Sequence, residues 1–202
     1  MTETNKQKID YKFKVCILGN EKVGKTSLVK RIFDDAFSDE VVPFDEIGVS
    51  KDLEYEGQKV KLSFFDPLGP DNSQTATFYN DANCLIAMYD VVEKDSVKMC
   101  NNWLSYGDRY IGGEYLKALV CNKIDLERNV NPEEGPQLAA NLNCKHFEIS
   151  CKTNEGIKEL YDFILKTLFQ KVKELEEAEN KQKKKGKQGK EGKDKKKGCV
   201  LL

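Results

Sequence analysis

Gly19-Asn20-Glu21-Lys22-Val23-Gly24-Lys25-Thr26 carries the pattern G-x-x-x-x-G-K-[S/T], a phosphate-cradling loop. Glycine lets the backbone wrap closely around an anion and turn several N–H donors toward it. The expected cradle is Glu21, Lys22, Val23, Gly24, Lys25, Thr26 and Ser27. Lys25 is placed to reach β- and γ-phosphate oxygens, and the Thr26 hydroxyl to ligate Mg²⁺, so these two are the candidate catalytic groups. The run before the loop, Tyr11 to Leu18, is β-rich, and Thr26 to Phe33 begins a helix. A strand–loop–helix order puts the helix dipole behind the same anion.

The chain continues the alternation outward from that loop. Asp52 to Tyr55 and Val60 to Phe65 flank Glu56-Gly57-Gln58, a hairpin turn signal. Strand-like runs follow at Cys84 to Val91, Leu116 to Cys121 and His146 to Ile149. Between them lie helical runs around Ser96 to Tyr110 and Pro132 to Leu142. The last helix shows a stripe of Ile157, Leu160, Tyr161, Ile164, Leu165, Leu168, Val172 and Leu175. Strands alternating with helices imply an α/β fold, a mainly parallel sheet with helices on both faces. Ligands of such sheets bind at the carboxyl ends of the strands.

Composition narrows the function classes. At 202 residues and 39% hydrophobic, the chain has room for one domain with a true core plus extensions. No signal-peptide pattern opens the sequence, and the longest apolar run, about Cys84 to Tyr89, is far too short to span a bilayer. Seven irregularly spaced cysteines, with Cys16, Cys84 and Cys121 in apolar runs, read as buried free thiols of a reducing compartment. The single histidine, His146, is expected to be structural. The net charge of −1 conceals a division: residues 181–198 hold ten lysines against one Glu and one Asp, a net +8 that leaves −9 on the rest. A body this acidic is not expected to bind nucleic acid, and the lysine block is expected to be a disordered, solvated tail.

Guanine selectivity is suggested by Asn122-Lys123-Ile124-Asp125, which follows the strand at Leu116 to Cys121. A carboxylate at Asp125 can accept from guanine N1–H and the 2-amino group, donors adenine lacks at that edge. Ser150-Cys151-Lys152 follows the next strand, where a backbone N–H can meet guanine O6.

With these motifs the chain resembles the Ras superfamily of small GTP-binding proteins over residues 11 to about 175, and most nearly its Rab branch. Ile47-Gly48-Val49, Lys61-Leu62-Ser63-Phe64-Phe65-Asp66, Met88-Tyr89-Asp90-Val91 and Asn102-Trp103-Leu104 are also similar to Rab segments. The resemblance implies the P-loop small-GTPase fold with a six-stranded, mostly parallel sheet. It implies GTP or GDP with Mg²⁺ as ligands, Phe37 stacked on guanine, Asp66 holding Mg²⁺ through water and the Gly69 amide at the γ-phosphate. It further implies effectors, an exchange factor and a GTPase-activating protein as partners of two switch segments, about Ser38 to Ser50 and Asp66 to Tyr79. The protein itself is expected to be a monomer.

Departures from the family bear on turnover. Where the family has Asp-Thr-Ala-Gly-Gln-Glu, this chain has Asp66-Pro67-Leu68-Gly69-Pro70-Asp71, so Pro70 stands where a glutamine orients the attacking water. Glu46 precedes Ile47-Gly48 where the family has a threonine that senses Mg²⁺; Phe44 is the alternative match. Without metal, Glu46 facing the γ-phosphate at about 5 Å would be repelled by roughly 3 kcal/mol per charge at an effective dielectric of about 20. As an Mg²⁺ ligand the sign would reverse. Glu21 would crowd an incoming arginine finger. The expected function is a membrane-anchored GTP/GDP switch in vesicle traffic with slow hydrolysis. The alternatives are a non-hydrolysing GTP-bound scaffold or a Ras- or Rap-like signalling switch.

Cys199-Val200-Leu201-Leu202 has the C-a-a-X form with X = Leu, which predicts geranylgeranylation of Cys199. One lipid chain anchors weakly, and the adjacent lysines supply a second, electrostatic signal. The expected organisation is a flexible segment at 1–10, a GTP-binding domain at 11–175, a lysine-rich tail at 176–198 and the lipidation motif at 199–202. Its expected location is the cytosolic face of the plasma membrane or endomembrane vesicles, and the cytoplasm when unanchored.

Overall fold

The computed structural model describes residues 8–40, 48–65 and 79–194, with side chains as far as 181. Among the described residues, six strands and four helices run in the order β1 (Tyr11–Gly19), α1 (Lys25–Asp34), β2 (Gly48–Tyr55), β3 (Gln58–Phe65), β4 (Cys84–Asp90), α2 (Lys94–Tyr110), β5 (Leu116–Asn122), α3 (Glu134–Asn141), β6 (Lys145–Glu148) and α4 (Ile157–Asp194). They form one sheet of order β2-β3-β1-β4-β5-β6. Of the sheet's described pairings, all are parallel but β2–β3, which is antiparallel. Its connection is the two-residue turn Glu56-Gly57, with φ of 49° and 75°. Two consecutive positive φ values match the twist of flanking strands, and Gln58 already pairs with Tyr55.

Helices cover both faces of the sheet. Cys16, Leu18, Leu85, Ala87, Tyr89, Leu119 and Cys121 share one face and pack with Val97, Cys100, Trp103 and Leu104 of α2 and Ala139 of α3. The opposite face is set by register: Phe64 lies beside Val15, Met88 beside Val120, and Val120 beside Phe147. Phe33 of α1 meets Phe64 edge-on at 5.3 Å, and Phe163 of α4 lies 5.1 Å from Phe147. Every residue of β4 is buried, as a central parallel strand between two helix layers requires. Each of Leu85, Ile86 and Met88 contributes about 1.5–3 kcal/mol by leaving water. Cys16, Cys84 and Cys121 are buried free thiols, as their apolar surroundings predict.

Two expectations about the last helix need correction. The backbone stays helical through Asp194, whereas a disordered tail is expected from residue 176. Lysine and glutamate are good helix formers and pair four residues apart, as Glu177 and Lys181 do at 3.9 Å, so a helix needs no packed core there. The chain divides into two compact units, one up to Ile164 and one from Leu165 onward. The apolar stripe of α4 is also shorter than expected: Leu175 is 66% exposed, while Phe169 is buried. Among the described residues no helix is long and apolar enough to cross a membrane.

Candidate functional site

The segments that follow β1, β5 and β6 line a cavity of about 630 Å³. Lys22, Gly24, Lys25, Thr26 and Ser27 line it on one side, Phe37, Ser38 and Asp39 on a second, and Asn122, Lys123, Asp125, Leu126, Cys151 and Lys152 on a third.

The phosphate-loop wall is shaped by close backbone approach. Gly24 has φ of 102°, and a Cβ there would sit 2.3 Å from Asn122 Nδ2; a Cβ on Gly19 would sit 2.4 Å from the Met88 carbonyl oxygen. Both positions exclude a side chain. Helix α1 starts at Lys25, and its first internal bond is donated by Leu28 N–H to Gly24 O at 2.9 Å. Lys25, Thr26 and Ser27 therefore form the helix N-terminus that faces the cavity, with the positive end of its dipole. Lys25 Nζ donates to the carbonyls of Gly19 at 2.9 Å and Asn20 at 3.0 Å, which holds the ammonium over the loop.

Asn122 joins this wall to the opposite one. Its Nδ2 donates to Val23 O at 2.8 Å, and its Oδ1 accepts from Cys151 N–H at 3.2 Å. Ser150 is fully buried; its hydroxyl donates to Asp125 Oδ1 at 2.6 Å and accepts from Thr153 N–H at 3.0 Å. One carboxylate oxygen of Asp125 is thus fixed by Ser150. Lys123 sits at φ of 63°, and its Nζ donates to Asp90 Oδ2 at 2.5 Å. Asp90 Oδ1 accepts from the amides of Val92 and Glu93 at 3.0 and 2.8 Å, so the ion pair is anchored at the end of β4. Burial pushes the Cys151 thiol up to about 12, partly offset by the nearby Arg31 charge, so it stays protonated at neutral pH.

Most of the sequence-derived site residues converge here. Lys22, Gly24, Lys25, Thr26, Ser27, Phe37, Asn122, Lys123, Asp125, Cys151 and Lys152 line the cavity, and Ser150 supports it from behind. Glu21 and Val23 do not line it: Glu21 is exposed, and Val23 is buried with its carbonyl on Asn122. Glu46, Asp66, Gly69, Pro70 and Cys199 lie outside the described residues. Of the expected Mg²⁺ ligands, Thr26 alone is described. Ser38 and Asp39, which also line the cavity, belong to the expected first switch segment; the sequence reading does not select Leu126 or Arg31, which donates to the Cys151 carbonyl, because neither stands in a distinctive motif. The one cavity thus brings together the helix N-terminus at Lys25 to Ser27, the Asp125 carboxylate and the Phe37 ring.

A mainly parallel sheet with this loop at the end of its first strand defines a phosphate-loop nucleotide-binding protein. The Ras family sequence profile matches residues 14–170. Mouse Ras-related protein Rab-21 is 34% identical over 165 residues, covering 79% of this chain and 74% of that protein. Human Ras-related protein Rab-3A is 32% identical over 179 residues, covering 85% and 80%. The chain belongs to the Ras family, as a Rab-like small GTPase.

Proposed function

We propose that this protein is a membrane-anchored, Rab-like switch of vesicle traffic that binds GTP and GDP with Mg²⁺ and hydrolyses GTP slowly. The observation that carries the nucleotide half of this reading is Asn122, whose one amide ties Val23 of the phosphate loop to Cys151 across a single cavity. Phosphate and base ends are thereby held at a fixed separation.

The roles follow from the walls. Lys25 leaves the Gly19 and Asn20 carbonyls for the β- and γ-phosphate oxygens, and the α1 N-terminus adds its dipole. Thr26, with Asp66, would hold Mg²⁺, which neutralises charge developing on the phosphates. Asp125, preset by Ser150, accepts from the guanine edge, and Phe37 covers the base face. Slow turnover is supported by Pro70, which has no side-chain group to orient water. The segments about 38–50 and 66–79 would present the nucleotide state to effectors, an exchange factor and a GTPase-activating protein. A lipid on Cys199 and the lysine-rich segment before it would hold the protein at a membrane.

Nucleotide extracted from the purified full chain, followed by single-turnover GTP cleavage, tests this. Exchangeable GDP with slow but measurable cleavage supports the switch. Bound GTP that survives purification uncleaved would replace it with a non-hydrolysing scaffold, and preference for adenine nucleotides would end the guanine reading.

A further inference from the structure

One guanidinium joins the two walls at the Phe37–Cys151 end of the cavity. Arg31 lies on α1 with its side chain only 11% exposed. Its Nε donates to Cys151 O at 2.9 Å and its Nη2 to Lys152 O at 3.2 Å. On the other side, Nη1 donates to Asp35 O at 2.9 Å and Asp35 Oδ1 at 3.2 Å. Asp35 Oδ1 also accepts from Asn154 Nδ2 at 3.1 Å, which closes the network onto the loop after Lys152. Cys151 and Lys152 line the cavity directly, and two residues beyond Asp35 the chain enters it at Phe37. None of these bonds reaches the phosphate loop, which is tied instead by Asn122 and Lys25.

A planar fork that cannot lose its charge holds several acceptors in fixed directions, which a lysine ammonium cannot reproduce. The geometry points to Arg31 as a positioning residue for the base end of the site. It fixes the Ser150-Cys151-Lys152 loop relative to the Phe37 segment and so sets how long, and how selectively, a guanine base is held. Arg31 does this without touching the nucleotide. The inference rests on the guanine-site reading above, and it adds regulation of residence time to that site.

The test uses the full chain and compares wild type with Arg31→Lys for GDP release rate and for equilibrium binding of GDP, ADP and inorganic tripolyphosphate. GDP release should quicken about tenfold, the order of one lost charge-assisted hydrogen bond. The preference for GDP over ADP should narrow, while tripolyphosphate binding stays unchanged. Unaltered GDP release, or equal losses for GDP and tripolyphosphate, would overturn the assignment. If circular dichroism shows Arg31→Lys unfolded, Asp35→Gly replaces it; glycine keeps the left-handed backbone at φ of 51° and removes only the carboxylate. That variant should quicken GDP release about two- to threefold, a fraction of a hydrogen bond's worth, with tripolyphosphate again unchanged, and no effect on GDP counts against the proposal. A wild-type chain that binds tripolyphosphate but shows no preference for GDP would refute the guanine reading itself, a result distinct from failure of the Arg31 role.

Discussion

At the scale of single residues, Asn122 does most to shape the site. It is 2% exposed, and truncation to alanine would leave the Val23 carbonyl and the Cys151 amide buried without their partner. Two lost bonds with buried ends should cost about 2–4 kcal/mol, read as a lower urea midpoint at unchanged m-value. Nucleotide affinity should fall with it. His146 makes a second prediction. Desolvation holds its pKa below the usual value, with Glu148 opposing and Arg128 reinforcing the shift, and the Tyr89 hydroxyl lies 2.9 Å from its Nε2. The unfolded chain then binds the proton more readily, so stability is highest above the unfolded pKa near 6.5 and falls as pH drops toward the folded value. Melting temperature measured from pH 7 to 5 should decline, and His146→Gln should flatten that slope. Residue-scale features were legible where spacing is local: the phosphate loop, Asn122 to Asp125 and Ser150 to Lys152 each sit in a short string. Arg31 was not, because its partners lie 120 and 121 residues away.

At the scale of elements, α3 approaches β4 and β6 so closely that a side chain at Gly135 has no room. A Cβ there would lie 2.0 Å from Tyr89 Oη and 2.6 Å from His146 Nε2. Gly135→Ala should destabilise by about 1–3 kcal/mol through overpacking. The loss should shrink when combined with Tyr89→Phe, which removes the nearer atom; a double mutant no better than the single would disprove that account of the contact. Strands with apolar alternation or continuous burial were legible to within a residue or two. The start of β2 was not, since Gly48-Val49-Ser50-Lys51 carries little apolar pattern and is ordered by pairing with Phe65, Phe64, Ser63 and Leu62. The hairpin turn was read one residue too long for a similar reason: the string Glu56-Gly57-Gln58 does not show that Gln58 has already joined the ladder.

At the scale of the molecule, the sequence separates an acidic body from a lysine block, and that difference should be visible in solution. Unlipidated full chain should bind vesicles containing phosphatidylserine at low salt and leave them as NaCl rises past about 0.15 M, where the Debye length is about 8 Å. Salt-insensitive binding would assign the attachment to something other than the lysines. In cells, Cys199→Ser should move the protein to the soluble fraction, and membrane retention of that variant would remove the lipid from the proposal. Strand alternation made a parallel sheet legible, but the order β2-β3-β1-β4-β5-β6 follows from long-range pairing that no local pattern encodes. The helical course of residues 176–194 was missed because low hydrophobicity argues against a core, not against a helix.

The antiparallel pairing of β2 with β3 makes these strands behave like meshed racks. Gly48 stands opposite Phe65, with the aromatic ring filling the space where a Cβ would be. The chain therefore enters β2 and leaves β3 at adjoining points, while the Glu56-Gly57 turn ties the far ends about 24 Å away. Sliding one strand by a single residue would turn its inward side chains outward, so a permitted step is two residues, about 7 Å. The entry to β2 at Gly48 and the exit from β3 at Phe65 are thereby held side by side by one register, and no shift smaller than two residues keeps the inward side chains inward.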